Sequence, residues 1–160
     1  MRLSLLLSAL LVSCGGDTTP QAILGTGSWQ WEPLEEGDGI PVILGPQGGY
    51  HLLGSVRMKG MIPGDFNDLD DPKNPTTAFE VRVDGELLTP DSVFVQGVRP
   101  APESVTPWTH EMLGRFTILD IESDSELDDV SITFSVTVTD HTGTSASDQL
   151  TLQAYPYELN

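Results

Sequence analysis

The chain has 160 residues, a formal net charge of −17 with 24 acidic residues against seven lysines and arginines, and one cysteine. Such a field repels nucleic-acid phosphates and anionic lipid headgroups, and no basic stripe overrides it. A single thiol excludes a disulfide framework, a thiolate metal cluster and a dithiol redox motif, so the core must hold by packing and sheet hydrogen bonds.

In chain order the first element is Arg2, an apolar stretch from Leu3 to Val12 and the small residue Ser13. This is the layout of a secretory signal peptide, and the apolar stretch is roughly half of the ~20 residues a transmembrane helix needs. Gly15-Gly16-Asp17-Thr18-Thr19-Pro20 follows as a polar, breaker-rich tether. Trp29 and Trp31 alternate just after it, which predicts two rings on one side of a strand; packing at the core or edge of the domain is the favoured reading, and an exposed platform for carbohydrate or a partner is the alternative.

The remaining elements read as strands. Residues 40–44 form a short apolar segment whose Pro41 marks an edge or a strand start. Residues 50–59 alternate Tyr50, Leu52, Val56 and Met58 against His51, Ser55, Arg57 and Lys59. Residues 77–83 turn Phe79, Val81 and Val83 inward, and Asp84-Gly85 signals a hairpin returning through Leu87 and Leu88. Residues 93–98 and 115–121 add two more. The strongest alternation is Val130, Ile132, Phe134, Val136 and Val138 against Ser131, Thr133, Ser135, Thr137 and Thr139, a half-buried strand with one wet face. Asp140-His141-Thr142-Gly143 supplies a turn, and residues 144–154 return with Ala146, Leu150, Leu152 and Ala154 on one face. Pro156 ends the sheet. No segment has a helical period, and twelve prolines and sixteen glycines punctuate the chain. The expectation is an all-β, antiparallel sandwich of about seven or eight strands.

Two resemblances add to this reading. Leu11-Val12-Ser13-Cys14 resembles the bacterial lipobox, in which the cysteine sulfur receives a diacylglyceryl group and a peptidase cleaves just before it. The resemblance implies a signal peptide over residues 1–13, a lipidated Cys14 with a flexible tether over 14–28, and a folded domain over 29–160. Removing 13 residues and the charge of Arg2 leaves 147 residues at −18. Gly15, rather than Asp, after the cysteine implies the outer membrane under the Gram-negative sorting rule. The block Phe134-Ser-Val-Thr-Val-Thr-Asp-His-Thr-Gly-Thr-Ser-Ala-Ser looks like the closing hairpin of bacterial immunoglobulin-like domains, which implies that fold and a role in binding, spacing or adhesion. Gly45-Pro-Gln-Gly-Gly-Tyr-His-Leu-Leu-Gly-Ser-Val-Arg resembles a segment of uncharacterised lipoproteins of myxobacteria and their relatives and brings no activity with it.

Candidate chemistry is sparse. Asp65, Asn67, Asp68, Asp70 and Asp71 offer five oxygen-bearing side chains within seven residues, a hard-donor set that suits calcium. The EF-hand spacing is absent, and a solvated loop is the competing reading. The acidic run 120–129 reads as an exposed connection anchored by Leu127 and Val130. His110, Met112, Met58 and Met61 contain copper-ligand types, with Met58 on an apolar face where core packing explains it. No Gly-x-Ser-x-Gly elbow or triad spacing is present, and the glycines at 45, 48 and 49 lack a phosphate-loop context. Trp108, in the proline-rich loop 99–107, is the candidate exposed contact residue. The expectation is therefore a non-catalytic binding or structural module, tethered to the envelope by lipid, contacting an envelope protein or glycan; a calcium-dependent adhesion module is the alternative, and an envelope hydrolase a distant third.

Overall fold

The computed structural model describes residues 19–157 other than Gln47 and Asp91. The signal-peptide segment and Cys14 lie outside the described residues. Eleven strands follow one another: β1 Gln21–Thr26, β2 Glu32–Pro33, β3 Gly39–Leu44, β4 Tyr50–Lys59, β5 Thr76–Val83, β6 Glu86–Leu87, β7 Val93–Val95, β8 Arg99–Pro100, β9 His110–Leu119, β10 Val130–Thr139 and β11 Ser145–Pro156. Among the described residues there is no α-helix, only two 3-10 turns at Glu103–Val105 and Asp124–Leu127. The all-β architecture expected from the alternation is present.

Strand β3 joins two layers. Its first residues run parallel to β11, from Gly39 beside Gln153 to Val42 beside Pro156, and its last two pair antiparallel with β4. One layer holds β2, β1, β4, β9 and β8; the other holds β11, β10, β5, β6 and β7. The pairing is thus mixed rather than purely antiparallel. Beside β3, the N–H groups of Gln153 and of Tyr157, just past β11, donate to the carbonyls of Asp38 and Val42, so Pro41 keeps its ring nitrogen away from β11 and breaks no bond. The last strand ends at Pro156, as expected; the β10 ladder stops at Ala154, and only β3 accompanies the last two residues of β11.

One apolar core lies between the layers. Leu24, Leu52, Val56 and Met58 come from the first layer, and Phe79, Val81, Ile132, Phe134, Val136, Val138 and Leu152 from the second. Each such side chain contributes roughly 1.5–3 kcal/mol by leaving water. The Phe79 ring sits 6.1 Å from that of Phe134 and presses on β4 at Gly54, where a Cβ would lie 2.7 Å from the ring. The approach of the layers therefore requires glycine there.

The folded unit begins earlier than residue 29. β1 lies inside the segment assigned to the tether, pairs with β4 from Gln21 to Gly25, and buries Leu24 completely. Asp148 of β11 closes its free edge, accepting from the Leu24 N–H at 2.8 Å. Trp29 and Trp31 do not share a strand: both lie in the bend between β1 and β2, where Trp29 is 91% exposed and Trp31 is half-buried. β9 starts at His110, five residues before the alternation was evident. At the other hairpins the turn chemistry is as expected. Asp84 and Gly85 both take positive φ, the two-residue turn that matches strand twist.

Candidate functional site

The outward face of the first layer is built from alternate residues of β4 and β9. On β4 these are His51, Leu53, Ser55, Arg57 and Lys59; facing them on β9 are Ile118 opposite His51, Phe116 opposite Leu53 and Glu111 opposite Arg57. Between them the register slips, and Leu113 and Gly114 together face Ser55. Such a bulge re-aims the side chains beside it. Gly114 takes φ +60°, a conformation few other residues adopt without strain.

Ser55 is wholly buried and ties three segments together. Its hydroxyl accepts from the Gly114 N–H at 2.9 Å and donates to the Gly27 carbonyl at 3.0 Å. Thr26 donates to the Leu53 carbonyl at 2.9 Å. The β1–β2 bend is thereby held over the sheet, with the Trp31 indole against Gly25 and the Arg57 guanidinium 4.4 Å from its ring centre. Beyond Arg57 lies Glu111, 2% exposed. Its carboxylate accepts from Arg57 Nε at 3.1 Å and Arg99 Nη2 at 2.7 Å. A buried carboxylate is costly alone, and two arginines with directed donors offset that cost. Of the chain's seven lysines and arginines, four (Arg57, Lys59, Arg99 and Arg115) lie on β4, β8 and β9.

Two clefts are lined by β9. One, of about 390 Å³, lies between the β3–β4 turn and β9 and is lined by Pro46, Tyr50, His51, Phe116 and Ile118. Phe116 and Ile118 are each more than half exposed, and Leu44 is exposed nearby. The His51 ring lies 4.4 Å from that of Phe116. Burial lowers the His51 pKa below its ordinary value, so the ring is neutral at neutral pH. The second cleft, of about 210 Å³, lies where the bulge meets the β1–β2 bend and is lined by Trp29, Phe66, Gln96, Arg99, Glu111 and Arg115.

The predicted site residues fall elsewhere. The loop holding Asp65, Asn67, Asp68, Asp70 and Asp71 is a run of consecutive turns. Asp65, Asp68 and Asp71 each accept from the N–H two residues on, at 2.9–3.0 Å. Asn74 braces them, accepting from the Asp65 N–H and donating to the Asp68 carbonyl. Three of the four carboxylates are thus turned to their own backbone, and among the described residues no three of His, Cys, Asp or Glu come together as a metal site. The five residues do not form the calcium cage that their spacing allowed. The acidic run instead forms a capped turn, in which Ser123 and Glu126 cap each other and Leu127 is buried as expected. Met58, Met61 and Met112 belong to the core, and the three histidines lie on β4, on β9 and in the β10–β11 turn. Burial also lowers the His110 pKa, and its Nδ1 lies 3.0 Å from the Thr109 hydroxyl rather than a carboxylate. Trp108 is half-buried after the first 3-10 turn, not a projecting ring.

What the sequence reading missed is Ser55, Arg99, Glu111, Arg115, Phe116 and Ile118. A signal was available for the last two: residues 116–119 are apolar or β-branched on both faces, the mark of a strand whose outer side is also covered or used. Comparison with protein-family models, curated proteins and solved structures returns no match for the chain.

Proposed function

We propose that the protein is a lipid-anchored, immunoglobulin-like binding module of the bacterial cell envelope, held at the membrane (the outer one, from Gly15) by acylation of Cys14. Its contact surface is the outward face of β4 and β9, and its partner is another envelope component, protein or glycan. The observation that carries this reading is the exposure of Phe116, at 54%, and Ile118, at 56%, around a cleft on a sheet face that is otherwise closely covered. Exposed apolar groups clustered at a cleft mark contact surfaces in soluble domains. Catalysis has less support on the same face. The Glu111 carboxylate is already held by two arginines, so it is not free to act as an acid or base there.

A photoreactive residue at position 116, against one at position 133 on the opposite face, tests the surface in whole cells. Crosslinks from 116 and none from 133 are expected; equal crosslinking from both, or none from 116, would remove the surface assignment. The anchor is tested separately, since Cys14→Ser is expected to abolish incorporation of labelled fatty acid. A variant that still takes up label would end the lipoprotein reading.

A further inference from the structure

The smaller cleft has a chemistry of its own. Four segments converge on it: the β1–β2 bend with Trp29, the acidic loop with Phe66, residues 96–99 with Gln96 and Arg99, and the β9 bulge with Arg115. Their convergence is fixed by backbone contact. A Cβ at Gly114 would lie 2.9–3.0 Å from Ser28, and a Cβ at Gly97 would lie 2.2 Å from the Asp65 backbone.

Two arginines on this cleft have unspent donors. Arg99 binds Glu111 through Nη2 while its Nε is buried without a partner. Arg115 also has a buried Nε without a partner and, among the described residues, no carboxylate partner at all; its guanidinium stands 5.8 Å from the Phe94 ring centre. Arg57 and Arg99 hold the carboxylate of Glu111, and Arg115 lines the same cleft as Arg99, in a chain whose net charge is −17. Guanidinium forks match carboxylates in plane and spacing. Beside them Trp29 stands 91% exposed and Phe66 51% exposed, two ring faces offered to a ligand. An exposed indole next to a cation is the arrangement that takes a pyranose ring by its C–H face while the cation takes an acid group. A volume of about 210 Å³ is below the ~300–1,000 Å³ of drug-sized pockets and suits one ring rather than several.

We propose that this cleft binds an acidic sugar: a hexuronate unit whose carboxylate pairs with Arg115 and Arg99 and whose ring lies against Trp29. The assignment rests on the reading of this sheet face as a contact surface and adds the class of ligand. It makes the partner an anionic glycan, the one kind of anion that an acidic protein admits only where its few arginines are gathered.

The test is titration of the folded domain with glucuronate, glucose, acetate and sulfate, followed by amide and side-chain NMR. Glucuronate is expected to shift the Trp29 indole and Arg115 Nε signals, with a Kd in the millimolar range for a single ring and at least about tenfold tighter than glucose or acetate. Arg115→Gln should weaken glucuronate about tenfold or more, and Trp29→Ala several-fold; Trp29 is exposed, so that variant keeps its melting temperature. Equal response to acetate, sulfate and glucuronate would overturn the sugar assignment in favour of simple anion pairing. So would absence of any shift with glucuronate up to about 50 mM. Crosslinking from position 116 that persists in Arg115→Gln cells would leave the contact surface standing while this ligand falls.

Discussion

The two outward faces of this domain are made from the same kind of strand and differ in almost everything else. On β10 and β11 the outward residues are Ser131, Thr133, Ser135 and Thr137 beside Ser147, Gln149, Thr151 and Gln153, all meeting water through short hydroxyls and amides. On β4 and β9 the outward residues are Leu53, Phe116 and Ile118 at one end and a buried Ser55, Arg57 and Glu111 at the other. The first face needs nothing beyond solvent. The second carries a covering bend, a buried ion cluster, a bulge and exposed Phe116 and Ile118, features that a merely solvated sheet has no physical reason to build.

The ion pairs give the largest test of this contrast. Glu111→Ala strips the carboxylate from between two arginines and should cost about 3–5 kcal/mol. Glu80→Ala removes the partner of Arg82 on the other face, where both side chains are more than two-fifths exposed at 3.0 Å, and should cost about 0–1 kcal/mol. Equal losses in urea melts would erase the difference between the faces.

Next comes Asp140, which asks whether the second layer draws its rigidity from its turn rather than its face. Its buried carboxylate accepts from Ile62 N–H, Thr142 N–H, Thr142 Oγ1–H and Thr144 N–H at 2.6–3.1 Å. Burial alone would raise its pKa; the bonds from Thr142, Ile62 and Thr144 outweigh that and hold it below the ordinary 3.8. A depressed folded-state value means that this stabilisation is complete above the unfolded pKa and is lost as pH falls through the folded one. Asp140→Asn should cost about 2–3 kcal/mol at neutral pH and flatten the decline of melting temperature below about pH 4. An Asn variant with the wild-type acid profile would remove Asp140 from that role.

A single substitution made on both faces sharpens the comparison further. Ser55→Ala strands the Gly27 carbonyl and Gly114 N–H and should cost about 1–2 kcal/mol, with a change in the environment of Trp31. Ser135→Ala, on the wet face, should stay within about 0.5 kcal/mol. The smallest effect is expected from calcium. Because three of the four loop carboxylates are turned to their own backbone and no three gather as a metal site among the described residues, removing calcium with EDTA and restoring it should move the melting temperature by less than about 1 °C. A shift of several degrees, lost in Asp68→Ala/Asp70→Ala, would reinstate the calcium-dependent reading.

The same contrast explains what could be read in advance. β10 was legible to the residue and β11 to within two residues because their alternation is regular, their turn is short, and their partner is the next element along. Leu127 was legible as an anchor because an isolated apolar residue in an acidic run has no other reason to be there. The Glu111 cluster was not, since its arginines lie 54 and 12 positions away and only the pairing of β4, β8 and β9 assembles them. β1 was hidden by the glycines and threonines around Ala22-Ile23-Leu24, which resemble a linker until β4 and Asp148 claim the strand's two edges. In the acidic loop composition pointed to a cation, whereas the spacing of three between Asp65, Asp68 and Asp71 is that of successive turns.

The early start of β1 also sets a height. Seven residue steps separate Cys14 from Gln21, a leash of at most about 25 Å, where the fifteen steps to Trp29 would have allowed about 50 Å. Under the proposed acylation of Cys14, a leash of that length would hold the start of β1 within that distance of the headgroups.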